Sequence, residues 1–336
     1  MSIVIDGQTK RIGLALSGGG FRAAAFHLGV IRTLASLSLL DKIDVISCVS
    51  GGSIAGAFFA CNWGSPTAPE KFESYLKTRS IAVSSALGGM LDPFESRLDK
   101  LAESYDRDLY LGATLSALTK APRLYLNATN LATGNLFFFV AGGSKAAEMG
   151  EHELGVVAAP DFPICKAVAA SSAFPPVFPP LRLDTTLYAP AENVEYVTLA
   201  DGGVYDNMGI SPLLRTRNEL DYIIVSDGGK PFANDERPTT SGAIVLKEGL
   251  DIMMEQIRGL EFDRIEHRYK AGVGPKPLWF SIDSTEGEQV PGDAAFASAI
   301  STNLKRLSDA EMNVLMRHGG ALLEARINRY ARELRP

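Results

Sequence analysis

The stretch Val45-Ile46-Ser47-Cys48-Val49-Ser50-Gly51-Gly52-Ser53-Ile54-Ala55-Gly56-Ala57-Phe58-Phe59 constrains this chain most: an apolar strand breaks at a serine and resumes at once as a helix of small residues. The same pattern occurs one unit earlier. Arg11 to Ser17 reads as a short apolar strand and Gly18-Gly19-Gly20 as a loop; from Phe21 to about Leu40, Phe26, Val30, Ile31 and Leu34 recur at helical spacing. Strand, helix, strand, helix at this spacing requires right-handed crossovers and a parallel sheet. The expected fold is therefore α/β and three-layered, with a largely parallel central sheet flanked by helices.

The rest of the chain extends that plan. Glu70 to Lys120 has a moderate helical pattern and reads as an inserted lid or cap at about 70–120. Pro122 to Asn130 and Asn135 to Val140 are strands around a Thr133-Gly134 turn. Phe137, Phe138 and Phe139 could line an acyl pocket, although such a run is more often sheet core. Ile164 to Phe174 is a small-residue helix stopped by Pro175-Pro176. Strands at Val194–Ala200 and Asp221–Ser226 deliver Asp201-Gly202-Gly203 and Asp227-Gly228-Gly229. A long helix from about Ala243 to Tyr269, a strand from Pro277 to Ile282 and a helical last thirty residues complete the chain. With 336 residues and 46% apolar content, a single domain over 1–336 is expected, with motifs in 11–229 and a C-terminal extension at 230–336.

Composition removes several function classes. A net charge of −6 argues against a nucleic-acid binder. No apolar run is long enough to span a bilayer, and Met1 to Gly7 lacks the pattern of a secretory leader, so a cytoplasmic protein is expected. Cys48, Cys61 and Cys165 have no CxxC spacing, and His27, His152, His267 and His318 are scattered singly, so neither a disulfide framework nor a metal or other cofactor is expected. In the last thirty residues Lys and Arg alternate with Asp and Glu, as on a solvated helix face.

Ser50 has two readings, a plain turn or a nucleophile on a sharp strand-to-helix elbow. The glycine loop has three. Gly18-x-Gly20-x-x-Ala23 fits a dinucleotide fingerprint, but the acidic residue at the right distance, Asp44, precedes its strand instead of ending it. The loop could be purely structural. It could also present backbone N–H groups at a helix N-terminus to an oxyanion, the reading that a neighbouring Ser50 nucleophile favours. With histidines so few, an aspartate acting directly on the serine is the economical base, and both Asp201 and Asp227 sit at strand ends. Cys48 as nucleophile is disfavoured, because its place inside an apolar strand buries it.

These residues together resemble the patatin-like phospholipases. Gly18-Gly19-Gly20-Phe21-Arg22 is similar to that family's oxyanion loop, Ser50-Gly51-Gly52 to its nucleophile elbow and Asp201-Gly202-Gly203 to its dyad aspartate, in the same order, over roughly residues 11–229. The helix from Ala167 to Pro175 is similar to the family's small-residue block. Cys48 departs from the family's glycine. The resemblance implies acyl-ester hydrolysis of membrane phospholipids, with Ser50 and Asp201 catalytic and Gly18, Gly19, Gly20 and Gly51 forming the oxyanion hole. Gly202, Gly203, Asp206 and Asn207 would support the loop. Arg22 would contact a phosphate head group, or pair with a carboxylate and lock the loop. It implies a phospholipid or other acyl-ester partner and peripheral contact with the inner face of the membrane, and leaves the oligomeric state open. A general carboxylesterase, an antiphage effector switched on by a cyclic nucleotide and an inactive lipid-binding module are the rival readings; no nucleotide motif supports the effector.

Overall fold

The computed structural model describes residues 3–81, 94–189, 194–232 and 241–335. A small hairpin of β1 (Ile3–Ile5) and β2 (Gln8–Lys10) leads into β3 (Ile12–Leu16), every residue of which is buried. Then follow α1 (Gly20–Ser36), β4 (Ile43–Val49) and α2 (Gly51–Cys61), the two strand-turn-helix units. Next come α3 (Ala68–Thr78), α4 (Phe94–Tyr105), β5 (Arg123–Asn130), β6 (Leu136–Ala141), β7 (Glu148–Glu151), β8 (Gly155–Ala158), α5 (Ile164–Ser171), β9 (Leu181–Asp184) and β10 (Tyr196–Asp201). The chain closes with α6 (Gly203–Asp206), β11 (Tyr222–Asp227), α7 (Gly242–Lys270), β12 (Lys276–Ser281), α8 (Asp293–Ala299) and α9 (Asp309–Tyr330).

Ten of the strands form one sheet in the order β12-β11-β3-β4-β5-β6-β7-β8, with β10 joined to β5 and β9 to β10. From β12 to β5 every pairing is parallel; beyond β5, and through β10 and β9, every pairing is antiparallel. The parallel half follows from the crossover helices. The antiparallel half grows from hairpins, and β7, β8 and β9 are short strands with no periodic pattern to announce them.

Alternation along the parallel strands divides the core into two layers. Leu14, Leu16, Ile46 and Cys48 face the larger cluster, where helices α1, α2, α5 and α9 contribute Phe21, Phe26, Ile54, Val168 and Leu322. Ala15, Val45, Tyr125 and Val225 face the opposite way, onto Met208, Ile210, Leu213 and Ile265 of α7. Phe137 and Phe139 are buried in the first layer and Phe138 in the second, which is the sheet-core reading of that run.

In the segment expected to form a cap, α3 and α4 supply Phe72, Leu76, Leu98, Leu101 and Tyr105 to the main core cluster; its residues 82–93 lie outside those described. The C-terminal part is equally built in. β12 pairs with β11, and α9 lies on α1 so closely that a β-carbon on Gly29 would overlap the backbone of Met316, and one on Gly319 the backbone of Phe26. Not all the charged residues of α9 lie on a solvated face: Arg326 is buried, donating to the Trp279 carbonyl at 3.0 Å and pairing with Glu286 at 3.3 Å, and Arg317 pairs with the buried Asp293 at 2.7 Å. Among the described residues no helix is long and apolar enough to cross a membrane.

Candidate active site

The sheet register explains how two residues 151 positions apart meet. Strand β4 runs parallel to β5 as far as the Val49–Asn127 pair, and Ser50 is the next residue. Strand β10 approaches along the same edge of β5 from the other direction and ends with Asp201 opposite Ala128. One eight-residue strand thus carries the two strand ends head to head, and Ser50 and Asp201 emerge side by side.

Ser50 sits at φ 50°, ψ −116°, a conformation costly for a residue with a β-carbon, on the order of 1–3 kcal/mol. Local packing imposes it. The elbow is backed onto the glycine loop so tightly that a β-carbon on Gly51 would collide with the backbone of Gly20. Ile54 N–H donates to the Ser50 carbonyl at 3.1 Å and starts α2. Cys48 is fully buried, and its Sγ occupies the space where a side chain on Gly56 would be. A glycine one helix turn into α2 therefore accommodates the cysteine that stands at the small-residue position of the elbow. Burial drives the Cys48 thiol pKa up, so it stays a neutral packing group.

Asp201 is 2% exposed. Burial raises its carboxyl to about 7; the Gly203 N–H, donating to Oδ1 at 2.7 Å, and, more weakly, the Ser50 hydroxyl pull it back down. A carboxylate poised near neutral pH next to a hydroxyl has the proton affinity that a general base needs.

Asp227 is placed differently. It lies on β11, with β3 between it and β4, and its fully buried carboxylate takes Arg258 Nε at 2.6 Å and Gly229 N–H at 3.1 Å. Neither contact reaches Ser50. His27 is also buried, with Nδ1 2.8 Å from Ser226 Oγ and Nε2 2.9 Å from the Ser17 carbonyl; burial lowers its pKa to about 4, and both ring nitrogens are used in tying β3 to β11. No histidine among the described residues bonds to Ser50 or Asp201.

The glycine loop divides into two parts. Gly18 N–H donates to the Asn207 carbonyl at 3.0 Å, so that donor is occupied and drops out of the expected oxyanion set. Gly19 and Gly20, at φ 139° and 62°, start α1, and Gly51 starts α2. First-turn N–H groups have no upstream carbonyl in their own helix, and Gly51, next to Ser50, lies against the backbone of Gly20. Asp44 lies at the far end of the sheet, accepting Ile12 N–H at 2.9 Å, where it cannot serve a dinucleotide on this loop.

Asp206, Asn207 and Arg22 all make contacts around the loops that flank the site. Asp206 is buried and accepts Gly209 N–H at 2.9 Å and Ser211 N–H at 2.7 Å, fixing the turn after α6. Asn207 is wedged between Gly18 and Gly203, where a β-carbon on either glycine would meet its Oδ1. Of the two alternatives for Arg22, the contacts are those of a loop-fixing residue, with carbonyls in place of a carboxylate: its side chain is fully buried, Nε and Nη2 donating to the Gly228 carbonyl at 3.2 and 3.0 Å and Nη1 to the Ile300 carbonyl at 2.9 Å. These bonds hold the glycine loop to the segment before α9 and use all three guanidinium nitrogens. Burial lowers the Arg22 pKa to about 10, which leaves it charged at neutral pH. Sequence reasoning missed Arg258, the partner of Asp227, as well as Gly56 behind Cys48 and Ser171 beneath the elbow; among the described residues no cluster of three or more His, Cys, Asp or Glu side chains could hold a metal ion.

Fold and site together define an α/β protein with a serine elbow, a glycine loop and a buried aspartate at adjacent strand ends. The family model described as patatin-like phospholipase matches residues 14–214, and the chain belongs to that family. Among solved structures it is similar to human GIVD cytosolic phospholipase A2, at 13% identity and TM-score 0.63, over 97% of this chain and 60% of that one. The same human enzyme in complex with methyl gamma-linolenyl fluorophosphonate matches at 14% identity and TM-score 0.57, over 97% and 58%. The chain thus spans about three-fifths of the length of these structural relatives. No curated protein sequence matches it significantly.

Proposed function

We propose that this protein is a lipid acyl hydrolase that cleaves ester bonds of membrane phospholipids through a Ser50–Asp201 dyad. The observation carrying the reading is the head-to-head meeting of a strained Ser50 and a buried Asp201 with pKa about 7 on one edge of β5. Asp201 takes the Ser50 hydroxyl proton as Oγ attacks the ester carbonyl, and the N–H groups of Gly19, Gly20 and Gly51 receive the developing oxyanion. Collapse expels the alcohol, which leaves with the proton held by Asp201. Water, deprotonated by Asp201, then attacks the acyl-serine; collapse releases the fatty acid and returns the proton from Asp201 to Ser50 Oγ. Family membership supports a lipid ester as substrate, and the fluorophosphonate bound in a structural relative is a reagent directed at nucleophilic serines. Contact with the lipid would be peripheral.

The test compares wild type, Ser50→Ala and Asp201→Asn on a short p-nitrophenyl ester and on phosphatidylcholine or phosphatidylglycerol vesicles. Both variants should lose activity by roughly 10³-fold or more, the scale of removing one member of a nucleophile–base pair. Full activity in either would sink the dyad. Turnover of the soluble ester but of no vesicle would make the protein a general carboxylesterase.

A further inference from the structure

Beneath the dyad lies the C-terminal end of α5, a helix thin enough to wedge between the elbow and the aspartate loop. Ser171 ends it, with no exposed surface. Its Oγ accepts the backbone N–H of Ser50 at 3.0 Å and is 2.8 Å from Ser53 Oγ, also fully buried, so that one of these two hydroxyls donates to the other. Its main chain faces the opposite partner: the Ser171 carbonyl accepts Gly202 N–H at 3.3 Å, and two residues on the Ala173 carbonyl accepts Asp201 N–H at 3.0 Å. One short segment thus grips the nucleophile through a side chain and the base through its backbone.

We infer that Ser171 is a positioning residue that sets the separation and orientation of Ser50 relative to Asp201. The inference rests on the dyad reading and deepens it. Ser50 is in a backbone conformation that persists only where its surroundings over-determine it, and Ser171 Oγ is the partner of its N–H group. Small size alone would not explain a serine here. Alanine would pack between α2 and α4 as well and has the higher helix propensity, but it would leave the Ser50 N–H buried without an acceptor. Freed of that bond, the elbow relaxes and the Ser50 hydroxyl moves relative to the carboxylate, a misplacement of the kind that lowers turnover without weakening substrate binding. Ser53, bonded to Ser171 but not to Ser50, supports the arrangement from one step further away.

The test measures Ser171→Ala, Ser171→Thr and Ser53→Ala beside wild type, using a fluorophosphonate probe, a soluble p-nitrophenyl ester and thermal melting. The end point of labelling gives the fraction of molecules with a folded site, and its rate gives the reactivity of Ser50. Ser171→Ala should label to the wild-type end point, but with labelling rate and kcat down roughly ten- to hundred-fold and KM within about twofold. Its acidic pH limb should move upward, because the Ser50 hydroxyl helps to keep the Asp201 carboxyl down. Ser171→Thr, which keeps the hydroxyl, should regain most of the rate, and Ser53→Ala should lose less than Ser171→Ala. Wild-type rate and pH profile in Ser171→Ala, or a loss equal to its unlabelled fraction, would overturn the inference while leaving the dyad intact. If Ser171→Ala does not fold, unchanged labelling rate and pH limb in Ser53→Ala would overturn it. Failure of wild type itself to label at Ser50 would remove the dyad and the inference together.

Discussion

The contact between Cys48 and Gly56 permits a sharp test of how the elbow is built. Replacing Gly56 by alanine removes a glycine from the interior of α2, which by itself stabilises a helix by roughly 0.5–1 kcal/mol. The new methyl group, however, must enter the space filled by Cys48 Sγ, with Leu124 closing the other side. Overpacking of that kind costs about 1–3 kcal/mol. The net expectation for Gly56→Ala is a loss of roughly 0.5–2 kcal/mol, taken as the difference of the two. In a Cys48→Gly background the obstruction is gone and only the helix term remains, so the same substitution should stabilise by roughly 0.5–1 kcal/mol. The two measurements differ by a coupling energy of about 1–3 kcal/mol, within the range of residues in direct contact. Urea unfolding of the four proteins gives the cycle, in which the cost of losing Cys48 itself cancels. Turnover of a soluble ester adds a second readout: Cys48 precedes Ser50 by two residues, so Gly56→Ala alone should lower kcat and the double variant should recover it. Additivity within about 0.5 kcal/mol would refute the idea that Gly56 makes room for the cysteine.

Three further outcomes follow from buried charged groups. The Asp201 carboxyl, held near 7, should give kcat/KM a single-proton acidic limb at about pH 7, checked with a soluble ester from pH 5 to 9; a limb near 4 would mean that another group titrates. The same shift acts on stability. The native carboxyl binds its proton more tightly than the unfolded one, whose value is 3.8, so this group's contribution is greatest below about pH 4 and is lost as pH rises to 7. Asp201→Asn should therefore gain on wild type across that window, by a few kcal/mol, and level off above it. Arg22→Lys should lower the melting temperature, since one ammonium cannot reach both the Gly228 and Ile300 carbonyls, while the ratio of activities on phosphatidylglycerol and phosphatidylcholine vesicles stays unchanged. A selective loss on the anionic lipid would show the guanidinium reaching substrate.

What could be read in the sequence was what is local. The strands ending at Leu16 and Val49, the elbow at Ser50 and the aspartate at Asp201 each announce themselves through an apolar run cut off by a turn, and the parallel half of the sheet follows from the helices between them. The antiparallel half did not, because β7, β8 and β9 are four-residue strands whose partners, not their composition, define them. Arg22 illustrates the limit at the site. An arginine behind a glycine loop looks like an anion ligand until the chain from 278 residues downstream supplies the Ile300 carbonyl that claims it. Ser171 and Gly56 carried no chemical signal at all; one looked like part of a small-residue helix and the other like one small residue among several in α2. The place of Asp201 beside Ser50 depended on β5 being long enough to accept two strands on one edge, a property of the pairing and not of either motif.

The backbone contact between α1 and α9 bears on how members of such a family can diverge. The recognisable motifs end by Gly229, which would suggest a catalytic module with an exchangeable tail. Yet the Asn303 carbonyl takes the Phe21 N–H at 2.9 Å, Ile300 takes Arg22, and Gly29 faces the backbone of Met316, so the tail forms the outer wall of the glycine loop. A chimaera that imported residues 230–336 from a relative would have to import a matching α1 with them, and drift in the last hundred residues is confined by the first thirty-five.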